Sequence, residues 1–403
     1  MPVPERPQLR PCLEAYLDEG HPRPVVIRDR LRFAPRPEYL SRHEFLLLSL
    51  CDGRRTLRDI QTEAMRRNGH QLLPLDTLTA FLERMEAARL LDGPAFRAFA
   101  DAPVREPVCV GSYEEDPDNL RRQLADLFTR PDGPGLPRDI PPDGGLRAAL
   151  IPHIDYERGG AGYGWAFKEV VERTEASLFV IIGTSHLSPY RFTLTRKAFR
   201  TPLGVTPTDS GFIDRVVAHY GDGLFEDELR AHLPEWSIEL EVVLLQFLYE
   251  RRRPIRIVPL VVGSFHDSIQ SGESPSRSED IARMAEALRQ AEAAAPEPVC
   301  YLISGDLAHI GPKFGDPGLP GELVTHSREQ DQAILQAAAG GDPEAYFRVI
   351  SDEGDGRRIC GLPPTYVTLL AARPSAGRLL HYGQYVHPGG HESVSFASMA
   401  FDR

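Results

Sequence analysis

The sequence predicts an α/β protein: a central mixed, mostly parallel sheet flanked by helices, preceded by a small winged-helix-like α module. Three observations carry this reading. From Leu146 to the C-terminus, short β-rich runs alternate with helical stretches. Those runs are apolar almost throughout, as strands are when helices cover both faces of a sheet. Ahead of them, three short helical patterns follow one another between Ser41 and Gly93. The chain has 403 residues, 41% hydrophobic and 26% charged, with a formal charge of −12. This is the ordinary globular range, with room for two or three domains. The acidic balance argues against general nucleic-acid or anionic-membrane binding, since both need a surplus of Lys and Arg.

Residues 1–23 read as a loose lead-in and 25–33 as a short strand or hairpin. In SRHEFLLLSLCDG the apolar residues fall at helical spacing, Ser41 and Glu44 make a capping box, and Asp52-Gly53 supplies the stop. Thr56 caps a second helix, TLRDIQTEAMRRNG, ending at Gly69, and a third, LDTLTAFLERMEAARLLDG, closes at Gly93. Residues 24–95 are therefore read as the first module and 104–403 as the second domain. Between Pro94 and Gly145 lie one helical segment, DPDNLRRQLADLF, and a turn-rich connector, RPDGPGLPRDIPPDGG. The strands expected beyond it are AALIPHI, LFVIIGTSH, IRIVPLVVG and VCYLISGDLAH, with helices such as SIELEVVLLQFLYERRR and EDIARMAEALRQAEAAA among them. RLLHYGQYV and SVSFASMAF complete the sheet. There is no internal repeat, Walker motif or GxGxxG fingerprint.

No apolar run approaches the ~20 residues of a membrane span, and the polar, proline-rich N-terminus is unlike a signal peptide. The five cysteines, Cys12, Cys51, Cys109, Cys300 and Cys360, are odd in number, widely spaced and without a CxxC pair. That fits reduced thiols in the cytoplasm.

The chemistry is carried by the histidines. His153 ends ALIPH, His186 ends VIIGTSH and His309 follows YLISGD, each at the carboxyl end of an expected strand. In an open α/β sheet those ends line one rim, where ligands bind. A histidine taken alone is more often structural, but three in equivalent positions point to a site. Asp306 precedes His309 by three residues, close enough to orient an imidazole. Cys360, in RRICGLPP, sits beside a glycine that permits close backbone approach. A thiolate with imidazoles suits zinc, copper or iron and suits magnesium or calcium poorly. Alternatively, Cys360 is a nucleophile with a histidine base, although no nucleophile elbow accompanies it. Cys300, inside a strand, reads as an inert buried thiol.

Two resemblances add to this. LLLSLCDGRRTLRDI followed by FLERMEAARLL resembles PqqD-like domains, which implies a peptide held along an edge strand; a three-helix adaptor without a ligand is the plainer reading. From about Val104 onward the chain resembles the Memo family, also called AmmeMemoRadiSam system protein B. The matching blocks are REPVCVGSYEEDPDNLRRQL, ALIPHIDYERGG, IIGTSHL, RTPLGVTPTD, EWSIELEVVLLQFL, ISGDLAHIGPKFG and RICGLPPTYVTLLAA, in the family's order. The resemblance implies a fold like that of class III extradiol dioxygenases and a metal site of His153, His186 and Cys360 holding iron or copper, with zinc as a further candidate. It implies catalytic roles for His309, Asp306 and Cys360, with His309 as acid or base. Asp155, Tyr156, Ser185 and Trp236 are expected to line a substrate pocket.

The family's "EHS" is EWS here, so Trp236 stands where a pocket histidine is expected, and Trp has no lone pair for a metal or a proton. His232, four residues earlier, would partly substitute if the helix extended that far. Glu239 reads equally as a supporting pocket carboxylate or as an ordinary helix-surface one, and Tyr366 as a further aromatic near the pocket. The leading expectation is a metal-dependent redox or oxygen-handling protein working with a radical SAM enzyme and an AMMECR-type protein, as the family name records. The alternative is a non-catalytic scaffold that binds a peptide or partner through its first module and retains the pocket.

Overall fold

The computed structural model describes residues 3–403 and separates into two compact units, the first ending at Pro103 and the second running Val104–Arg403. The first opens with an antiparallel sheet of three strands in sequence order, β1 (Leu13–Leu17), β2 (Val25–Asp29) and β3 (Glu38–Leu40). Four helices follow: α1 (Arg42–Ser49), α2 (Leu57–Arg67), α3 (Leu75–Ala87) and α4 (Pro94–Ala100). The Ser41–Glu44 capping box forms, and Thr56 caps α2 together with Asp59.

Three expectations fail in this unit, one of them at α4, which adds a helix to the stretch from Pro94 to Gly145 where a single one was expected. β1 lies inside the stretch read as a loose lead-in. Its outer residues, among them Tyr16 and Leu17, are exposed, so no apolar pattern marks it. Helix α3 stops at Ala87 rather than near Gly93 because Arg89 adopts a left-handed φ of 58°. The chain beyond it sends Leu90 and Leu91 into the core, and Leu91 bridges Leu9.

The second unit begins with β4 (Val104–Arg105), α5 (Pro117–Thr129), β5 (Leu146–Ile151), α6 (Tyr156–Gly159) and α7 (Ala161–Arg173). It continues through β6 (Leu178–Thr184), β7 (Phe192–Leu194), β8 (Ala198–Thr201), β9 (Gly204–Thr206), α8 (Ser210–Tyr220), α9 (Glu228–His232) and α10 (Ser237–Tyr249). Next come β10 (Arg256–Val262), α11 (His266–Ser271), α12 (Glu279–Ala293), β11 (Val299–Ser304) and β12 (His309–Ile310). Helices α13 (Gly321–Ala339), α14 (Pro343–Asp352) and α15 (Leu362–Ala372) precede the closing strands β13 (Ala376–Val386) and β14 (Ser393–Asp402).

The main sheet has the order β12-β14-β5-β11-β6-β10-β7, with β13 also on β14. Its centre, β5-β11-β6-β10, is parallel, and β14 and β7 join its two sides antiparallel. β4, β8 and β9 form a small separate sheet.

The packing of β6 explains its unbroken apolar sequence. Leu178, Val180 and Ile182 enter the core on one face with residues of α8, α12 and α15, while Phe179 and Ile181 enter the other with α7 and α10. Alternate side chains of a strand point to opposite faces, so a strand covered on both has no polar side. Gly183 breaks the run because a Cβ there would sit 2.5 Å from Ser237 Oγ. Its missing side chain lets the start of α10 press against the end of β6. All five cysteines are free, and among the described residues no helix is long and apolar enough to cross a membrane.

Candidate metal centre

Three neighbouring parallel strands, β5, β11 and β6, end side by side at one rim. Two residues beyond each end stands a polar side chain: His153 after Ile151, Asp306 after Ser304 and His186 after Thr184. Strands about 4.8 Å apart thus deliver groups far apart in sequence to one place. The His153 and His186 ring centres are 5.3 Å apart.

Cys360 comes from the segment just before α15. Gly305 and Gly361 make this approach possible. A Cβ on Gly305 would meet Gly361 Cα at 2.6 Å, and one on Gly361 would meet Asp306 O at 2.7 Å. Gly361 N–H donates to Asp306 O, and Thr184 Oγ1 donates to Cys360 O at 2.8 Å, which clamps the segment over the strand ends. Cys360 Sγ then lies 3.1 Å from His153 Nε2. The ligand atoms of His153, His186 and Cys360 all fall within 4.8 Å of one another, and so do those of Asp306, His309 and Cys360, with Cys360 common to both groups.

Each imidazole has its Nδ1 committed elsewhere. His153 Nδ1 faces Ser304 Oγ at 3.4 Å, whose own hydroxyl donates to Ser237 O at 2.6 Å, so the nitrogen is the donor. His186 Nδ1 donates to Glu235 at 2.9 Å, and His309 Nδ1 to the carbonyls of Leu307 and Arg358 at 3.1 and 3.2 Å. Carbonyls and carboxylates only accept, so the proton of a neutral ring stays on Nδ1 and the Nε2 lone pair is left free. This is the arrangement in which histidine ligates metals.

The electrostatics differ from ring to ring. Burial pushes His153 down to about 3, helped by the neighbouring His186, so it is neutral. Burial also disfavours a charged His186, but the Glu235 carboxylate outweighs this and its pKa is raised. Burial would raise Glu235, yet its contact with His186 and the backbone N–H groups of Ser237 and His186 hold it down at about 2. Burial and the nearby Asp306 push the Cys360 thiol well up. Asp306 is raised by burial, and His309 is lowered by burial against the pull of Asp306. In the metal-free protein a neutral thiol therefore faces the free lone pair of a neutral imidazole.

The structure brings His153, His186, Cys360, Asp306 and His309 together. Trp236 joins them by stacking on His186, ring centres 4.2 Å apart and planes 17° from parallel. Ser185 is next to His186 in the chain, and its buried Oγ has no hydrogen-bond partner. Asp155 and Tyr156 are engaged elsewhere. Asp155 caps α6 and pairs with Arg158 at 2.5 Å, while the Tyr156 hydroxyl donates to Leu240 O with its ring in the core. Tyr366 likewise spends its hydroxyl on Glu344 at 2.6 Å.

His232 does not substitute for the missing histidine. The helix ends at His232 and a new one starts at Ser237, and His232 Nε2 donates instead to Thr193 O at 2.9 Å. Glu239 is no surface carboxylate: it is fully buried and accepts from Arg105, Tyr113 Oη and the backbone N–H groups of Val108 and Cys109. Arg105 also donates to His232 O and Glu235 O, so this staple fixes the turn that presents Glu235.

The sequence reading passes over Glu235, although it is the first residue of EWS and the group that orients His186. It also passes over Glu241, fully buried one helical turn beyond Ser237, whose pKa burial raises well above the ordinary carboxylate range.

A family model described as Memo-like protein matches residues 105–400. The chain belongs to the Memo-like family. Similar relatives are described as MEMO1 family proteins. A MEMO1 family protein of Aquifex aeolicus is 25% identical over 392 residues, covering 93% of this chain and 95% of its own. Others are those of Methanopyrus kandleri, 28% identical over 74% of this chain and 99% of its own, and of Aeropyrum pernix, 29% identical over 68% and 88%. The Memo-like match covers almost all of the second unit, in which every residue of the candidate centre lies. The Aquifex alignment is longer than that unit and so extends into the first.

Proposed function

We propose that this Memo-like protein holds a transition-metal ion, iron or copper, on His153 Nε2, His186 Nε2 and Cys360 Sγ, and uses it for redox or oxygen-handling chemistry. The observation that carries the reading is the convergence of one ligand atom from each of these three residues within 4.8 Å, with both imidazoles held through Nδ1. The donor set fits: neutral imidazole and thiolate suit borderline to soft metals, and a three-ligand site leaves positions open.

Such an ion supplies Lewis acidity and, for iron or copper, one-electron chemistry. The chain's own residues set the conditions around it. Burial keeps His153 neutral and ready. Glu235 holds the His186 ring and balances the positive charge that binding brings. The Cys360 thiol must lose its proton, and the free Nε2 of His309 is positioned to accept one. Trp236 covers one face of His186, where a histidine would have offered another lone pair.

Metal analysis of anaerobically purified full-length protein tests the reading. Wild type is expected to retain close to one equivalent, and a His153→Ala, His186→Ala double variant to fall to background. Equally poor binding of iron, copper and zinc by both proteins refutes it.

A second reading concerns the first unit. In its sheet β1 is an edge strand with Tyr16 and Leu17 exposed. Edge strands present unpaired N–H and C=O groups to an extended peptide. On this reading the unit receives a peptide or tethers a partner, such as a radical SAM enzyme or an AMMECR-type protein. A Tyr16→Asp, Leu17→Asp variant that keeps its metal and loses that partner in pull-down supports it, and unchanged capture refutes it.

A further inference from the structure

The candidate centre gathers more donors than one ion spans. Among the described residues its five side chains fall into two groups of three rather than one of five. One ligand atom each from His153, His186 and Cys360 lies within 4.8 Å of the others, and so does one each from Asp306, His309 and Cys360. An ion with bonds of about 2.0–2.3 Å keeps all its ligand atoms within about 4.6 Å of one another. Five donors that do not gather within 4.8 Å are too spread for a single ion, whereas each group of three is on the scale of one. The two groups meet at the Cys360 sulfur.

The second group is supported as the first is. His309 Nδ1 faces the carbonyls of Leu307 and Arg358, so Nε2 is the lone pair its ring can offer. Holding Nδ1 on a carbonyl is a usual way of aiming a ligating imidazole. The Arg358 segment is itself held, because its guanidinium donates to His309 O at 3.1 Å and pairs with Asp316 at 2.8 Å. Asp306 Oδ1 accepts the His153 N–H at 3.0 Å, and Oδ2 stands 3.8 Å from His153 Nε2. Each carboxylate oxygen has more than one lone pair, so a hydrogen bond does not prevent it from ligating.

We propose that the pocket takes two transition-metal ions, the first on His153, His186 and Cys360 and the second on Asp306, His309 and the same Cys360 thiolate, which bridges them. This rests on the reading of the first position given above. With a carboxylate in place of one imidazole, the second position is the harder of the two and suits iron, manganese or zinc. It is also the weaker, since it receives a cation beside one already bound. As a ligand His309 has no lone pair left for the Cys360 proton, which then passes to solvent.

Anaerobic cobalt(II) titration of untagged full-length protein, followed by absorption and electron paramagnetic resonance, tests the pair. Ions in two-metal sites stand about 3.5–4 Å apart, close enough for their spins to couple through a shared sulfur. Wild type is expected to take up one equivalent with a thiolate-to-cobalt band and a resonance signal, then a weaker equivalent that adds to the band and quenches the signal. His309→Gln and, independently, Asp306→Asn stop at one equivalent, and their signal survives excess cobalt. If wild type stops at one thiolate-linked equivalent, if its second equivalent leaves band and signal unchanged, or if both variants keep that equivalent, the bridged pair is overturned and the single-ion reading stands. Absence of a thiolate band at any loading instead refutes the single-ion reading, and the pair with it.

Discussion

The His153 and His186 sides of the pocket present the same atom, Nε2, in opposite electrostatic settings. His153 is 3% exposed and kept neutral by burial down to about pH 3. His186 has a side chain 24% exposed and lies against a carboxylate, so it holds a proton more readily than a free imidazole. One arm is thus always ready to ligate, and the other is gated by a proton that its own supporting residue stabilises. Metal binding should depend on pH through His186 and the Cys360 thiol, while His153 contributes nothing to that dependence near neutrality.

Glu235→Gln breaks this contrast most strongly. Loss of a supporting partner typically costs about 10–100-fold in metal affinity. The variant should bind that much more weakly at neutral pH. Without the carboxylate the His186 pKa also falls, so the acid limb of binding moves to lower pH. Cobalt or zinc titrations at several pH values read both effects, and an unshifted acid limb would remove Glu235 from its role.

Acid stability of the metal-free protein sharpens the other half. His153 titrates near 6.5 when unfolded and about 3 when folded, so between these values the unfolded chain binds more protons. Stability must fall as the pH drops through that window, by at most about 1.4 kcal/mol per pH unit from this residue. His186 acts with the opposite sign: its raised pKa gives a contribution fully present below 6.5 and lost as the pH rises through the folded value. Urea unfolding of wild type and His153→Asn between pH 4 and 7 separates the two. The variant should show the flatter acid limb.

The smallest effect is expected at Trp236. Trp236→Phe keeps an aromatic face on His186 and leaves every ligand in place. A stacked pair is worth about 0.5–1.5 kcal/mol, so metal affinity should change by no more than about tenfold. Isothermal titration of zinc into both proteins measures it. A larger loss would mean that the indole does more than cover His186.

Much of this site was legible in the sequence because strand ends are legible. The runs ALIPH, VIIGTSH and YLISGD are apolar through most of their strands, so the polar residues at and just beyond their ends mark the rim. Cys360 was marked by its glycine, which the structure pairs with Gly305. What stayed hidden depends on contacts remote in sequence. The burial of Glu239 and Glu241 follows from α10 being covered all round, and a Glu in a helix pattern looks solvent-facing until the helix's neighbours are known. The role of Glu235 depends on Arg105, 130 residues away, holding its carbonyl. The expectation for His232 failed on a helix break within LPEW, where only the proline hinted at an interruption. Tyr156 follows the rim in sequence, but the capping turn at Asp155 redirects it into the core.

The central claim is that one ion is shared by two imidazoles and one thiolate. X-ray absorption spectroscopy of the zinc-loaded full-length protein tests it directly. The structure predicts a single sulfur at about 2.3 Å together with nitrogen scatterers at about 2.0–2.1 Å, and loss of the sulfur shell in Cys360→Ser. A first shell of nitrogen and oxygen alone in the wild type, or a sulfur shell that survives Cys360→Ser, would contradict it.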